Sequence, residues 1–553
     1  MSISAKSFSG LWSSLFSGEA RLLPVVAVAG AMFAASALLL LWPETVLSRL
    51  MTWDLLYNFS GAWQLYSGYV AHVDFHDPLG SLYFWPTALG FRLVGLNAFA
   101  FIAGEIMVAA TMFVAATMAS IRRLPLLPAI IFVVFVTQLV LMPVNVGDLI
   151  DDFTFAMSYN KYGWAALIII SLVLFVPPHH QSNVPWQDVL VAGTLIVAMF
   201  YLKITYFLVA SGELAVALLI SRHIRSWGVL WVAVGAAILV NAISPWNWAY
   251  LADIGDAIAS GAVRSNWRQL VIALFANSTQ IAIYVAAFLA SLALWQSGQA
   301  PLRIPLAVGL LLAASLFVLS QNAQLRGLPL CVTAVFILVA HIARCSTLRM
   351  KSSSAYALLA LLTVPCFDIA AAAASSVSYA HVARKDTTRF EITSTNLRGL
   401  SVPLNTHAMP QGFSHNTPAL ERTWLSRART SGGSHVMSQV HYLETILEAV
   451  ELFRSDLMRP GAVLILDQVN PLPYALGRAP PRGGNLWMGL GYPRQPADKV
   501  FGDVDYVLIP KFSTLHELTD DYLEIYREHL SRNYAIKLVT HSWTVLARRI
   551  TPN

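Results

Sequence analysis

The sequence predicts an α-helical polytopic membrane protein of about eleven transmembrane helices, followed by a small C-terminal extracytoplasmic α/β domain. Three observations predict this. The 553 residues are 56% hydrophobic and only 12% charged, about half the roughly 25% of an ordinary soluble domain. Apolar runs near the ~20 residues needed to cross a bilayer recur as far as residue 375. From about residue 378 the composition changes, and Ser, His, Arg and Pro enter a stretch with soluble-type periodicity.

The mean hydropathy of +0.59 agrees with the membrane class. A net charge of +6 could point to nucleic acid. The cations sit in short loops between apolar runs, however, as they do when basic loops stay in the cytoplasm. Nucleic acid is therefore not an expected partner. The three cysteines, Cys331, Cys345 and Cys366, lie in or beside apolar runs. No disulfide framework supports the C-terminal part.

Taken in order, the first span covers about 22–42, preceded by Lys6 and Arg21. It has span length and lacks a small-residue cleavage site, so it reads as an uncleaved span. The second is about 93–119, ending at Arg122 and Arg123, and the third about 124–142. The fourth is about 163–177. The fifth and sixth, 187–202 and 206–221, join through Lys203-Ile204-Thr205. Arg222 and Arg225 follow, and the seventh span is about 228–243. The eighth is about 269–295, the ninth 304–320, the tenth 328–343 and the eleventh 354–375. Arg344, Arg349 and Lys351 fall on the side of the other basic loops. This alternation places the N-terminus in the cytoplasm and the C-terminal part outside, as in a bacterial-type inner membrane. Two units follow: a transmembrane unit, 1–377, with external loops 51–90, 143–162 and 244–268, and a soluble unit, 378–553. In the latter, segments such as AVLILDQVN and VDYVLIPK read as strands and SQVHYLETILEAVELFRSD as an amphipathic helix.

The loop at 51–86 is the richest stretch. It holds Asp54, His72, Asp74, His76 and Asp77, together with Trp53, Trp63, Trp85 and several Tyr. Such aromatics mark a membrane–water interface, and carboxylates beside it point to function. Asp54 stands just after the first span. Tyr57, Ala62 and Trp63 follow, then Ser67-Gly68, then Val73-Asp74-Phe75-His76-Asp77-Pro78-Leu79-Gly80. This pattern resembles the first external loop of the GT-C superfamily of membrane glycosyltransferases, which includes protein O-mannosyltransferases and lipid A aminoarabinose transferases. The resemblance implies a GT-C-like fold. It implies a transferase that moves a sugar from a polyprenyl-phosphate-linked donor to an envelope glycan, lipid or protein on the external face. It also implies that an acid soon after the first span, here Asp54, acts as catalytic base.

Each candidate has a plainer reading. Asp54 could cap the helix at 55–66. Asp74 could line the acceptor site or help hold a divalent cation (Mg, Mn or Ca), or could belong to a turn together with Asp77. Asp151 and Asp152 repel one another unless a cation or base neutralises them. The resemblance places such acids near donor phosphate or metal, and a solvated loop is the alternative. Lys203 is a lone cation between two apolar runs, where charge is costly. It suits a lipid phosphate, or it snorkels to the interface. Arg264 and Arg326 are further candidates for the phosphate. Tyr and Trp at 246–250 and 267 read as an interfacial belt. His441, Asp467 and Asp505 form no hydrolase signature. Two rival functions are a transporter or flippase of lipid-linked sugars, and a non-catalytic envelope assembly subunit.

Overall fold

A computed structural model of the chain describes residues 20–179, 186–220, 234–235, 238, 245–260, 267–321, 326–345, 352–385, 389–404, 414–415, 439–455, 457–489, 491–513 and 516–549. The described residues are mostly helical. In chain order the first helices are α1 (Leu22–Leu41), α2 (Thr52–Tyr66), α3 (Trp85–Val94), α4 (Phe99–Ser120), α5 (Leu126–Leu141) and α6 (Ser158–Phe175). Then come α7 (Trp186–Leu202), α8 (Ile204–Ile220), α9 (Pro245–Ala259), α10 (Trp267–Ala276) and α11 (Ser278–Gln296). The apolar part closes with α12 (Arg303–Ser320), α13 (Cys331–Arg344) and α14 (Ser352–Lys385). Among the described residues, six helices are long and apolar enough to cross a membrane: α1, α4, α6, α11, α12 and the Tyr356–Lys385 part of α14. Helices α5, α7, α8 and α13 are shorter and equally apolar in character.

Most spans read from the sequence coincide with one helix, and the departures have physical causes. The expected fourth span begins earlier, at Ser158, and draws in Lys161. That cation is tolerated because Glu105 of α4 lies 3.4 Å away and the Met142 carbonyl accepts from Nζ at 3.0 Å. The expected eighth span is two helices, α10 and α11, broken at Asn277. The Asn277 amide donates to the Ala273 carbonyl (2.6 Å), and its Oδ1 accepts from the Gly327 N–H (2.7 Å). A hydropathy pattern carries no trace of such a break. Helix α14 continues past residue 377 to Lys385. The expected seventh span lies almost wholly outside the described residues.

Helix α6 is the axis of the apolar part. Nearly every side chain along it is buried, against α4, α5, α7, α8 and α13. Gly163 lets α6 approach α8 closely, since a Cβ there would lie 2.6 Å from the Tyr206 ring. At the end away from the first loop, Arg123 is wholly buried. It donates to both Asp188 oxygens at 2.8 and 2.6 Å and to the Val176 carbonyl at 2.8 Å. Buried charge is acceptable only when paired and hydrogen-bonded in this way.

The C-terminal part packs over the first loop. Strand β1 (Val46–Leu47) pairs in parallel with β3 (Leu400–Pro403), and β3 pairs antiparallel with β2 (Arg389–Glu391). A two-residue pair, β4 (Ser414–His415), meets β7 (Phe512–Ser513). A four-stranded sheet has the order β5-β6-β9-β8. In it, β5 (Val463–Ile465) and β6 (Tyr506–Pro510) are parallel, while β8 (Tyr534–Val539) and β9 (Trp543–Arg548) complete antiparallel ladders. Helix α15 (Gln439–Arg454) packs its buried face, including Tyr442, Ile446 and Phe453, in the same core. The short α16 (Leu472–Leu476) rests on α2: Tyr474 stacks on Phe59 and Phe91 at 5.3 and 5.0 Å.

Candidate active site

The site begins at the N-terminus of α2. Met51 adopts φ +53°, a left-handed conformation uncommon for a residue with a Cβ. The exposed first N–H groups of the helix need acceptors, and one comes from far along the chain: Thr52 N–H donates to Gln439 Oε1 at 3.0 Å. Asp54 therefore is not the helix cap. It lies in the first turn, 9% exposed, and its Oδ2 accepts from the Met157 N–H at 2.9 Å. Met157 is itself left-handed, at φ +50°, and immediately precedes α6. The Asp54 carboxylate thus meets the positive end of an 18-residue helix, which favours the anion. Burial opposes it, and the balance pushes the Asp54 carboxyl up to about 7.

Aromatic hydroxyls line the space around Asp54. Burial, and then the Asp54 charge, hold the Tyr83 hydroxyl well above its usual range. That hydroxyl is buried beside the Asn58 side chain. Tyr159 meets Tyr83 edge-on at 5.1 Å, and Lys203 Nζ lies 5.0 Å over the Tyr159 ring. Lys203 is the single residue between α7 and α8, and desolvation pushes its ammonium down to about 7. Asp54 and Lys203, 149 positions apart in the sequence, therefore flank one tyrosine pair.

The Leu79-Gly80 step explains how the loop reaches Lys203. Gly80 N–H donates to the Leu202 carbonyl at 3.1 Å, and a Cβ on Gly80 would lie 1.9 Å from the Tyr201 carbonyl oxygen. Only glycine permits that approach. Just before it, Asp77 accepts from Leu79 N–H at 2.7 Å, the expected turn, and from the Tyr57 hydroxyl at 2.8 Å. Tyr57 follows Asp54 on the same face of α2. Burial pushes the Asp77 carboxyl up to about 7, against these hydrogen bonds.

Beside Asp77 lies a group that sequence reasoning missed. Asp253 of α9 accepts from His72 Nδ1 at 2.9 Å, His76 Nδ1 at 2.8 Å and the Asp77 N–H at 3.2 Å. Burial alone would raise its pKa, but the two histidines outweigh burial and hold it below the usual carboxylate value. The C-terminal part supplies the other wall. Residues 483–486 run beside 74–76, with Gly483 N–H on the Asp74 carbonyl (2.7 Å), His76 N–H on Gly484 (3.0 Å) and Leu486 N–H on His76 (2.9 Å). Trp487 then packs edge-on against Tyr57 at 5.1 Å. Burial first, then the charges of Asp77 and Asp54, raise the Tyr492 hydroxyl.

The remaining candidates are placed elsewhere. Asp74 accepts from Val70 N–H (2.8 Å) and faces Arg482 of the tail at 3.7 Å, so it braces the loop. The exposed Asp151 lies 3.7 Å from Arg49, and Asp152 donates its N–H to the Leu149 carbonyl at 3.1 Å. Arg326 is exposed, packed at the backbone against Gly147 and near Asp148. Arg264 lies outside the described residues. Among the described residues no group of three or more His, Cys, Asp or Glu is placed to hold a metal ion. Of the aromatics read as an interfacial belt, Trp85 is exposed, but Trp63 is buried under the tail and donates to the Arg478 carbonyl at 2.8 Å.

No family model and no curated protein matches the chain. Solved structures do. ArnT from Cupriavidus metallidurans in the apo state is 13% identical over 98% of both chains, with a TM-score of 0.44. The same protein bound to undecaprenyl phosphate is 12% identical over 98% of both chains, with a TM-score of 0.46. The archaeal oligosaccharyltransferase AglB from Archaeoglobus fulgidus, in complex with an inhibitory peptide and a dolichol-phosphate, is 12% identical. It covers 88% of this chain and 69% of its own, with a TM-score of 0.31.

Proposed function

We propose that this chain is an integral membrane glycosyltransferase that moves a sugar from a polyprenyl-phosphate-linked donor to an acceptor hydroxyl on the external face. The observation that supports it most is Asp54: a buried carboxylate that accepts the Met157 N–H at the N-terminus of α6, beside the buried hydroxyls of Tyr83 and Tyr159. In the step proposed, the acceptor oxygen attacks the anomeric carbon of the donor sugar. The bond from that carbon to the phosphate oxygen breaks, and the acceptor proton passes to Asp54. Polyprenyl phosphate leaves with the bonding electrons. A base with pKa near the working pH is suited to this task. Lys203 would hold the donor phosphate as a point charge. A single displacement inverts the anomeric carbon.

In this reading α1, α4–α8, α11–α14 and the run at 228–243 make eleven spans. The N-terminus is cytoplasmic, and the tail and first loop are external. The test is reconstitution of the full chain in liposomes with a polyprenyl-phosphate-linked radiolabelled sugar and an envelope extract. Label recovered covalently in an acceptor, and mass changes in envelope glycans on deletion of the gene, are the expected results. Label that crosses the bilayer still attached to the lipid would replace this reading with lipid-linked sugar transport.

A further inference from the structure

The C-terminal ends of α1 and α14 form an open cleft of about 480 Å³ that the proposed reaction does not use. Leu39 and Trp42 line it from α1, and Ala380, His381, Arg384 and Lys385 line it from α14. Tyr379 fixes its level. The Tyr379 hydroxyl donates to the Thr45 carbonyl at 3.3 Å and accepts from the Leu47 N–H at 3.2 Å, both just past the end of α1. His381, Arg384 and Lys385 follow within two helical turns. The cleft therefore lies where the apolar helices give way to β1 and β2. The Trp42 indole is 61% exposed, as indoles at a membrane–water interface are. Beside it Leu38 and Leu41 expose apolar side chains.

His381, Arg384 and Lys385 stand at i, i+3 and i+4 of one helix and so share a face. All three are exposed. The Arg384 guanidinium lies 4.8 Å over the Trp42 ring, a contact that holds the cation at the cleft wall. Among the described residues neither Arg384 nor Lys385 has a carboxylate partner, and no acid lines the cleft. Other arginines of this end are paired: Arg49 with Asp151, Arg389 with Glu391 and Arg482 with Asp74. Cations in a last turn complement the helix dipole, and long basic side chains snorkel to an interface. Neither effect builds a cleft between two helices around them. In the orientation proposed above this end is external, the side that basic residues otherwise avoid.

One ligand chemistry fits. Phosphate oxygens accept from a guanidinium and an ammonium, while acyl chains lie along Leu39, Ala380 and the exposed leucines of α1. We infer that the cleft binds the phosphate headgroup of an anionic lipid of the outer leaflet, which ties the end of α1 to the end of α14. This is independent of sugar transfer and needs only that the chain lies in a bilayer.

Native mass spectrometry of the delipidated full chain in detergent tests it, with dioleoyl phosphatidylglycerol and dioleoyl phosphatidylcholine as probes. The expected result is a phosphatidylglycerol adduct that persists where phosphatidylcholine is stripped. The double variant Arg384→Gln/Lys385→Gln should weaken that adduct by about tenfold or more. Removing the same charge from the surface of the tail, in Arg454→Gln/Arg532→Gln, should leave it in place. Phosphatidylglycerol should also raise the melting temperature of the wild type and not that of Arg384→Gln/Lys385→Gln. Equal retention of the two lipids, or unchanged phosphatidylglycerol binding in Arg384→Gln/Lys385→Gln, overturns the inference. So does displacement of the lipid by excess inorganic phosphate, which would assign the cleft to the free anion.

Discussion

At the scale of single residues, Asp54 balances two opposed forces. Burial favours the neutral acid, while the Met157 N–H favours the anion. A base must be ionised to accept a proton, so acidification below about 7 should remove activity, about tenfold per pH unit. Above that value the rate should level off. A pH profile of kcat/KM that stays flat between 5 and 8 would contradict the assignment. Stability has the opposite sign. Over the window from 3.8 to about 7 the folded protein keeps protons on Asp54 and Asp77 that the unfolded chain has lost. The contribution of these acids to stability therefore falls as pH rises through that window. Asp77→Asn should flatten this fall, as thermal melts at pH 5 and pH 7 would report.

Lys203→Met keeps a flexible side chain on the Tyr159 ring but deletes the charge. Donor KM should rise while the melting temperature holds, and an unchanged donor KM in a purified assay would refute the phosphate role. Asp54 and Lys203 could be proposed from the sequence because each is a lone charge at the edge of an apolar run. Asp253, Trp487 and Tyr492 were not, because their roles come from contact with residues 72–77 and 57, hundreds of positions away in the case of the tail. The place of Asp74 was not legible either. It shares the motif with Asp77, but the loop turns it toward Arg482.

At the scale of elements, the site is held by tight joints. Gly80→Ala forces a Cβ into the Tyr201 carbonyl, so the loop must lift from the α7–α8 link. The expected cost is about 1–3 kcal/mol in stability, with a larger fall in kcat than in donor binding. A wild-type rate in this variant would mean the joint does not position the site. The Arg123–Asp188 pair joins the α4–α5 turn to α7 at the opposite end. Asp188→Ala should cost about 3–5 kcal/mol, because it leaves a buried guanidinium uncompensated. Denaturation of the purified variant in detergent measures it. Neither joint was visible in the sequence. Hydropathy found the runs that became α4, α5 and α7, yet it assigned Arg123 to a basic cytoplasmic loop. It merged α10 and α11 because the break at Asn277 is made by side-chain hydrogen bonds and not by composition.

At the scale of the molecule, one side of the tail shares a hydrophobic core with the apolar part, while Phe501, Val507, Tyr522 and Leu546 form a second core within the tail. Tyr474, Val463 and Phe453 belong to the same cluster as Phe59 and Phe91. The change of composition at 378 was legible, but this shared core was not, since it depends on the parallel pairing of β1 with β3. The proposed orientation can be checked by labelling. With Cys331, Cys345 and Cys366 replaced, an impermeant maleimide added outside should react with Arg482→Cys and spare Ser346→Cys; the reverse pattern would invert the topology. The central claim is proton transfer to Asp54. Asp54→Asn keeps the shape and the acceptor for the Met157 N–H but removes the base. Turnover of the purified variant, with a polyprenyl-phosphate-linked sugar and saturating acceptor, should fall by about 10²–10⁴-fold, with little change in melting temperature. Sugar transfer by Asp54→Asn at the wild-type rate would contradict the account.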